Sequence, residues 1–195
     1  MGNSEQRKQK MSILICGNKG VGKHYIAENL LSNFKVISNE EYKGYEKLEN
    51  EEEIECTLYI KSDLIDRKSK QNKRTYYSRK FKKINAAVFI FDSSNKNSLM
   101  NQIIKDFEES RNGFTVAIIE NKYNENLDIN NDKAQIDDID KNPYGLDWYK
   151  FPIISEKDEG DVIKKKKDEI EKIKIGIFEK VYKNMTGQST NIQCC

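Results

Sequence analysis

The sequence predicts an α/β fold, with a mostly parallel central sheet covered by helices on both faces. Two observations predict it. Short continuous apolar runs recur at residues 11–16, 86–91 and 114–119, the composition of strands buried on both sides of a parallel sheet. Segments with apolar residues at helical spacing separate them, and strands alternating with helices imply crossover connections. Such sheets bind ligands outside the carboxyl ends of their strands, so function is sought in the loops after residues 16, 60, 91, 119 and 154.

The elements follow in order. Residues 11–16, "MSILIC", form a buried strand. Residues 24–34 form an amphipathic helix with Ile26, Ala27, Leu30, Leu31 and Phe34 on one stripe. The acidic stretch 39–53, "NEEYKGYEKLENEEE", carries no periodicity that assigns an element. Ile54, Cys56, Leu58 and Ile60 alternate with Glu55, Thr57 and Tyr59, the pattern of a half-buried strand. Residues 65–83 are basic and polar and read most simply as a loop, with room for a helical part. The run "AAVFIF" is a central strand, and a helix follows it with Leu99, Met100, Ile103, Ile104 and Phe107 inward. After the strand 114–119 comes an Asn- and Asp-rich segment broken at Pro143 and Gly145, then a short strand "FPII" at 151–154. Residues 162–185 form the last helix, with Ile163, Ile170, Ile173, Ile177, Val181 and Tyr182 on one face and Gly176 a weak point.

A chain of 195 residues suits one domain, here 11–185, between polar tails at 1–10 and 186–195. Net charge is only +2, which argues against a dedicated nucleic-acid binder with its basic excess. The runs "RKFKK" (79–83) and "KKKK" (164–167) read as solvated faces. No stretch approaches the roughly 20 apolar residues of a membrane span, and 11–16 is too short for a signal-peptide core. A cytosolic protein is expected. Cys16 and Cys56 lie in apolar runs and behave as small hydrophobes, with no disulfide framework.

The chemistry concentrates in "GNKGVGKH", residues 17–24, between the first strand and the first helix. Gly17-x-x-x-x-Gly22-Lys23 is a phosphate-binding (P-loop) pattern. Gly17, Gly20, Val21 and Gly22 turn backbone N–H groups toward phosphate oxygens, the helix N-terminus adds its dipole, and Lys23 reaches the outer phosphates. The pattern normally closes with Ser or Thr, whose hydroxyl binds magnesium, and His24 stands there instead. Magnesium wants hard oxygen ligands, so the residue predicts weak or absent Mg²⁺ binding.

Two further stretches follow strand ends: Asn121-Lys122-Tyr123-Asn124, and Ser155-Glu156-Lys157. The phosphate loop, Asn-Lys-x-Asn and Ser-Glu-Lys, in this order, resemble the motifs of small GTPases of the Ras superfamily. "FIFDSSNKNSL" looks like the corresponding strand-to-helix passage of Rab proteins, and the terminal Cys194-Cys195 resembles their double-cysteine prenylation signal. The resemblance implies a P-loop NTPase (small GTPase-like) fold that binds GTP or GDP. Asn121, Lys122, Asn124, Ser155, Glu156 and Lys157 would lie around the base. It also implies a monomer held to membrane by lipid on Cys194 and Cys195, with effector and prenyl-escort proteins as partners. Two lipid chains anchor stably where one binds only marginally. The location implied is the cytoplasmic face of an endomembrane, with a soluble cytosolic pool. Gly2 invites a myristoylation reading, but Gln6 stands where that motif wants Ser or Thr.

The departures from the family pattern are systematic. Family members carry Asp at the position of Asn124, accepting two guanine donors. An amide offers one acceptor, a mismatch of about 1–3 kcal/mol that puts guanine selectivity in doubt. Counting from Lys23 without gaps, the switch Thr that meets γ-phosphate and magnesium is replaced within Tyr42-Lys43-Gly44. In the second switch, Asp63 and Asp66 are weak candidates for the metal-side Asp. Neither has the Gly three residues on, since Asp66 and Ser69 stand at those spacings, and the water-orienting Gln has no counterpart. Glu156 replaces the usual Ala. No catalytic residue is assigned. The reading is a Rab-like, hydrolysis-impaired GTPase (a pseudo-GTPase) that recruits partners in vesicle traffic. A divergent but active GTPase is the alternative, and a P-loop nucleotide kinase ranks last, because no arginine lies in the second half beyond Arg111.

Overall fold

The computed structural model of the chain describes residues 9–50, 52–61, 84–92, 115–121 and 146–187. Their elements run β1 (Lys10–Cys16), α1 (Lys23–Leu30), β2 (Lys35–Ser38), β3 (Glu41–Lys47), β4 (Glu53–Lys61), β5 (Ala86–Asp92), β6 (Thr115–Asn121), β7 (Asp147–Phe151) and α2 (Gly160–Thr186). Among the described residues the strands form one seven-stranded sheet in the order β2-β3-β4-β1-β5-β6-β7. From β4 to β7 neighbouring strands are parallel. The β2–β3 and β3–β4 pairs are antiparallel. The protein is therefore α/β with a mostly parallel mixed sheet. Strand β1 sits between β4 and β5, so the chain order reverses at its carboxyl end, the place where open α/β sheets leave a crevice.

The period of two along each strand divides the apolar residues into two cores. Met11, Ile13 and Ile15 of β1 join Ile26 and Leu30 of α1 and Ile177 and Phe178 of α2. Leu14 and Cys16 join Phe89, Phe91 and Ile118 on the opposite face. Strand β5 is buried on both sides over Ala86 to Phe91, as its unbroken apolar run requires. Among the described residues both helices belong to the first core, so helical cover is found on one face and not on both as expected. The helix expected to carry Leu99 to Phe107 lies outside the described residues, as does the loop expected at 65–83.

Three expected elements change. Helix α1 stops at Leu30, short of the expected Phe34. Leu31 is already extended, Asn33 takes φ 47°, and the Ser32 amide donates to the Glu46 carboxylate instead of continuing the helix. Phe34 thus leaves the helical stripe and is 37% exposed. The unassigned acidic stretch contains β3, whose inward residues Tyr42, Gly44 and Glu46 are not aliphatic and give no apolar alternation. A Cβ at Gly44 would lie 3.0 Å from the Ser32 carbonyl oxygen, so glycine permits the close approach of the chain after α1. The last strand is "DWYKF", not "FPII". Asp147 to Phe151 pair with Ala117 to Asn121, and Pro152, lacking an N–H, follows at once.

Helix α2 matches its expected stripe at Ile170, Ile173, Ile177 and Val181 and ends at Gly187, φ 71°. Gly176 is more than a weak point: a Cβ there would sit 2.6 Å from the Tyr149 hydroxyl. Within "KKKK", Lys166 is no solvated residue. Its ammonium donates to the Ile153 carbonyl at 2.8 Å and to Asp158 at 3.1 Å, bracing the connection between β7 and α2.

Candidate functional site

The loop leaving β1 is held in shape by its own glycines. A Cβ at Gly17 would lie 2.5 Å from the Ile90 carbonyl oxygen, so only glycine lets the chain pass the end of β5. Gly20 and Gly22 have φ of 87° and 81°, left-handed values that an L side chain resists. Lys23 is almost fully buried. Its ammonium turns back across the loop to the carbonyls of Gly17 at 3.0 Å and Asn18 at 2.5 Å, fixing the loop as an arch. Gly22 caps α1 with no side-chain hydrogen bond, and the first turn holds no acidic residue. The amides and positive dipole end of α1 therefore face the loop without a built-in counter-charge, which is the condition for receiving an anion.

Asn121 is the last residue of β6 and is 1% exposed. Its side-chain amide donates to the Val21 carbonyl at 2.9 Å, across 100 residues of sequence. The same amide lies where a Gly22 side chain would have to go. Beyond β7, the Ile154 amide donates to the Tyr25 hydroxyl at 2.9 Å, and the Tyr25 ring meets Phe151 edge-on at 6.2 Å. The structure thus brings the loop of residues 17–24, Asn121 and Ile154 together at one end of the sheet. Ser155 is committed locally: its amide donates to Asp158 at 2.7 Å. That amide and the Lys166 ammonium hold the Asp158 carboxyl below its ordinary range. Glu156 and Lys157 occupy an exposed turn. Lys122, Asn124, Asp63, Asp66, Cys194 and Cys195 lie outside the described residues.

His24 is exposed at the start of α1, and its Nδ1 lies 2.9 Å from the hydroxyl of Tyr42 on β3. Tyr42 is buried and donates onward to Glu28, one turn along α1, at 3.4 Å. Burial first, and then the Glu28 charge and hydrogen bond, push the Tyr42 phenol above its usual range. The residue closing the loop of residues 17–24 is thus bonded to the strand beside it. Imidazole nitrogen and a buried, already hydrogen-bonded phenol do not fit magnesium, a hard ion in a tight octahedron of oxygens. Sequence reasoning found His24 and Tyr42 separately but missed Glu28, whose only signal was its spacing four residues from His24 on one helix face. Cys16, directly before the loop, is an inert core thiol: burial pushes it well above its usual range, against a smaller opposing pull from Lys23.

Compared with protein-family models and with curated proteins, the chain matches none. Its function is therefore argued from the site.

Proposed function

We propose that this chain is a Rab-like, hydrolysis-impaired GTPase-type protein. It would hold a guanine nucleotide by its phosphates on residues 17–24, tether to membrane through Cys194 and Cys195, and act by recruiting partners in vesicle traffic. One observation supports the reading: the loop of residues 17–24 is held in shape while the residue at its magnesium position is engaged elsewhere. Lys23 spans the loop and Asn121 locks it to β6, yet His24 is bonded to Tyr42. A strand order that reverses at β1, with antiparallel partners on one side only, is compatible with a P-loop fold and supports the reading.

The chain's own residues account for binding without turnover. Loop amides and the α1 terminus would neutralise phosphate oxygens, on a loop that Lys23 braces through the Gly17 and Asn18 carbonyls. Phosphoryl transfer also needs a cation on the β- and γ-oxygens and a group that orients water, and among the described residues the side chain at the magnesium position, His24, is bonded to Tyr42 instead. The test offers purified protein GTP, GDP, XTP and ATP, with and without Mg²⁺, and follows single-turnover hydrolysis. Nucleotide binding that is insensitive to Mg²⁺, with no turnover, is expected. Tight, Mg²⁺-dependent GTP binding with measurable hydrolysis overturns the proposal.

A further inference from the structure

Strand β2 ends the sheet, with β3 on one side and no strand of the described residues on the other. All four of its residues are exposed, Val36 and Ile37 included. Val36 is 50% exposed although it stands opposite the buried Tyr42, and the Phe34 ring meets the same Tyr42 at 5.7 Å. Among the described residues, four of the five exposed large apolar side chains lie here: Phe34, Val36, Ile37 and Tyr45. A free edge presents unpaired N–H and C=O groups, and apolar side chains left exposed along it mark a surface that another strand can cover. The charges say which strand. Lys35 stands directly opposite Lys43, a like-charged pair that weakens the hairpin. Glu41 pairs with Lys43 at 3.2 Å and Glu40 pairs with Lys61, so both carboxylates of the β2–β3 turn are engaged. No carboxylate of the described residues pairs with Lys35.

A second copy of this chain does not supply the missing carboxylate. Antiparallel pairing of two β2 strands about Val36 sets Lys35 against Ile37, and pairing about Ile37 sets it against Asn39. The register shift between Val36 and Ser38 also breaks any long, flat self-pairing. We propose that the free edge of β2 takes an extended segment of another protein, with a carboxylate opposite Lys35 and apolar side chains opposite Phe34 and Val36. Successive side chains of a strand alternate between faces, so the segment reads apolar, acidic, apolar over three residues. Backbone hydrogen bonds attach it, while the ion pair and the flanking apolar contacts select its sequence. The proposal goes beyond the nucleotide reading and needs no nucleotide, so either fails without the other.

The probe is a blocked peptide, Thr-Thr-Val-Glu-Val-Thr-Thr, compared with the same peptide carrying Lys in place of Glu. Each is titrated into isotope-labelled, full-length protein without nucleotide, and backbone amide resonances are followed by NMR. The Glu peptide is expected to shift the amides of residues 34–38 and slow their exchange. It should bind about 5-fold tighter than the Lys peptide, the difference between an opposite and a like charge across a strand pair. Lys35→Glu should invert that preference, and Val36→Asp should weaken both peptides. Both side chains are exposed, so both variants are expected to fold. Equal binding of the two peptides, shifts confined to other strands, or no binding of either at millimolar concentration overturns the proposal. Self-association that shifts the β2 amides without peptide assigns the edge to a second copy and overturns it as well.

Discussion

A β-carbon on Gly22 would have to share space with the Asn121 amide, on a backbone whose φ of 81° already disfavours any L side chain. Both costs fall on the same residue. The left-handed conformation alone is worth about 1–2 kcal/mol. Displacing Asn121 would also strip the Val21 carbonyl of its donor. Gly22→Ala is therefore expected to lower stability by about 2–4 kcal/mol, the backbone strain plus a lost buried hydrogen bond. It should also abolish nucleotide binding. Urea unfolding and nucleotide titration check it. Gly20→Ala is the control: it meets the same backbone strain at φ 87° but no neighbouring atom within 4 Å, so it should cost only the strain. Equal losses for the two variants would show that Asn121 does not lock the loop.

At the scale of elements, β3 is the piece that sequence patterning does not reveal, and its inner face explains why. Tyr42 bonds His24 and Glu28 of α1, Gly44 clears the chain after α1, and Glu46 is 3% exposed, 3.0 Å from Lys174 of α2. A strand whose buried positions are phenol, glycine and carboxylate shows no hydrophobic alternation, although its partner β4 shows it plainly. Strand β7 was misplaced for a related reason: an edge strand reading "DWYKF" looks less like a strand than the "FPII" beside it. The loop glycines, Lys23 and Asn121 were legible, because a backbone turn, a cation and a strand end leave local signatures. The His24–Tyr42–Glu28 chain was not, since it joins two elements through a register that only folding sets. Breaking the Glu46–Lys174 pair by Lys174→Met leaves a buried carboxylate, and stability is expected to fall by about 3–5 kcal/mol. Lys174→Met combined with Glu46→Gln removes that charge and should recover part of the loss by urea unfolding. No recovery would show that the pair's electrostatics do not matter. The 152–159 connection gives a pH prediction. Asp158 is held below its ordinary value of 3.8 by the Ser155 amide and Lys166. A depressed carboxylate contributes stability above the unfolded value and loses it as pH falls through the lower, folded value. Amide exchange at Ser155 should therefore quicken as pH drops below about 3.8, relative to neighbouring amides, and Asp158→Asn should remove that pH dependence.

For the whole molecule, the two ends of the sheet divide the work. The loop of residues 17–24 stands at the carboxyl ends of the parallel strands, and α2 starts on that side and runs back along the sheet. Near its far end, Tyr182 donates to Glu52 at 2.7 Å, and Glu179 accepts from the Glu49 amide at 2.9 Å. Those partners lie in the β3–β4 turn, at the amino ends of the parallel strands, so α2 ends opposite the site. From Gly187 to Cys194 the covalent chain reaches at most about 25 Å. Lipid on Cys194 and Cys195, if the proposed anchor holds, would sit within that reach of the end of α2 that lies opposite the loop of residues 17–24. Two lipid chains make a stable anchor and one makes a marginal, reversible one. Joint Cys194→Ser and Cys195→Ser substitution is expected to move the protein from membrane to cytosol, with either single substitution intermediate, measured by fractionation. A distribution unchanged in the double variant would remove the proposed lipid anchor while leaving the geometry of the 17–24 loop as described.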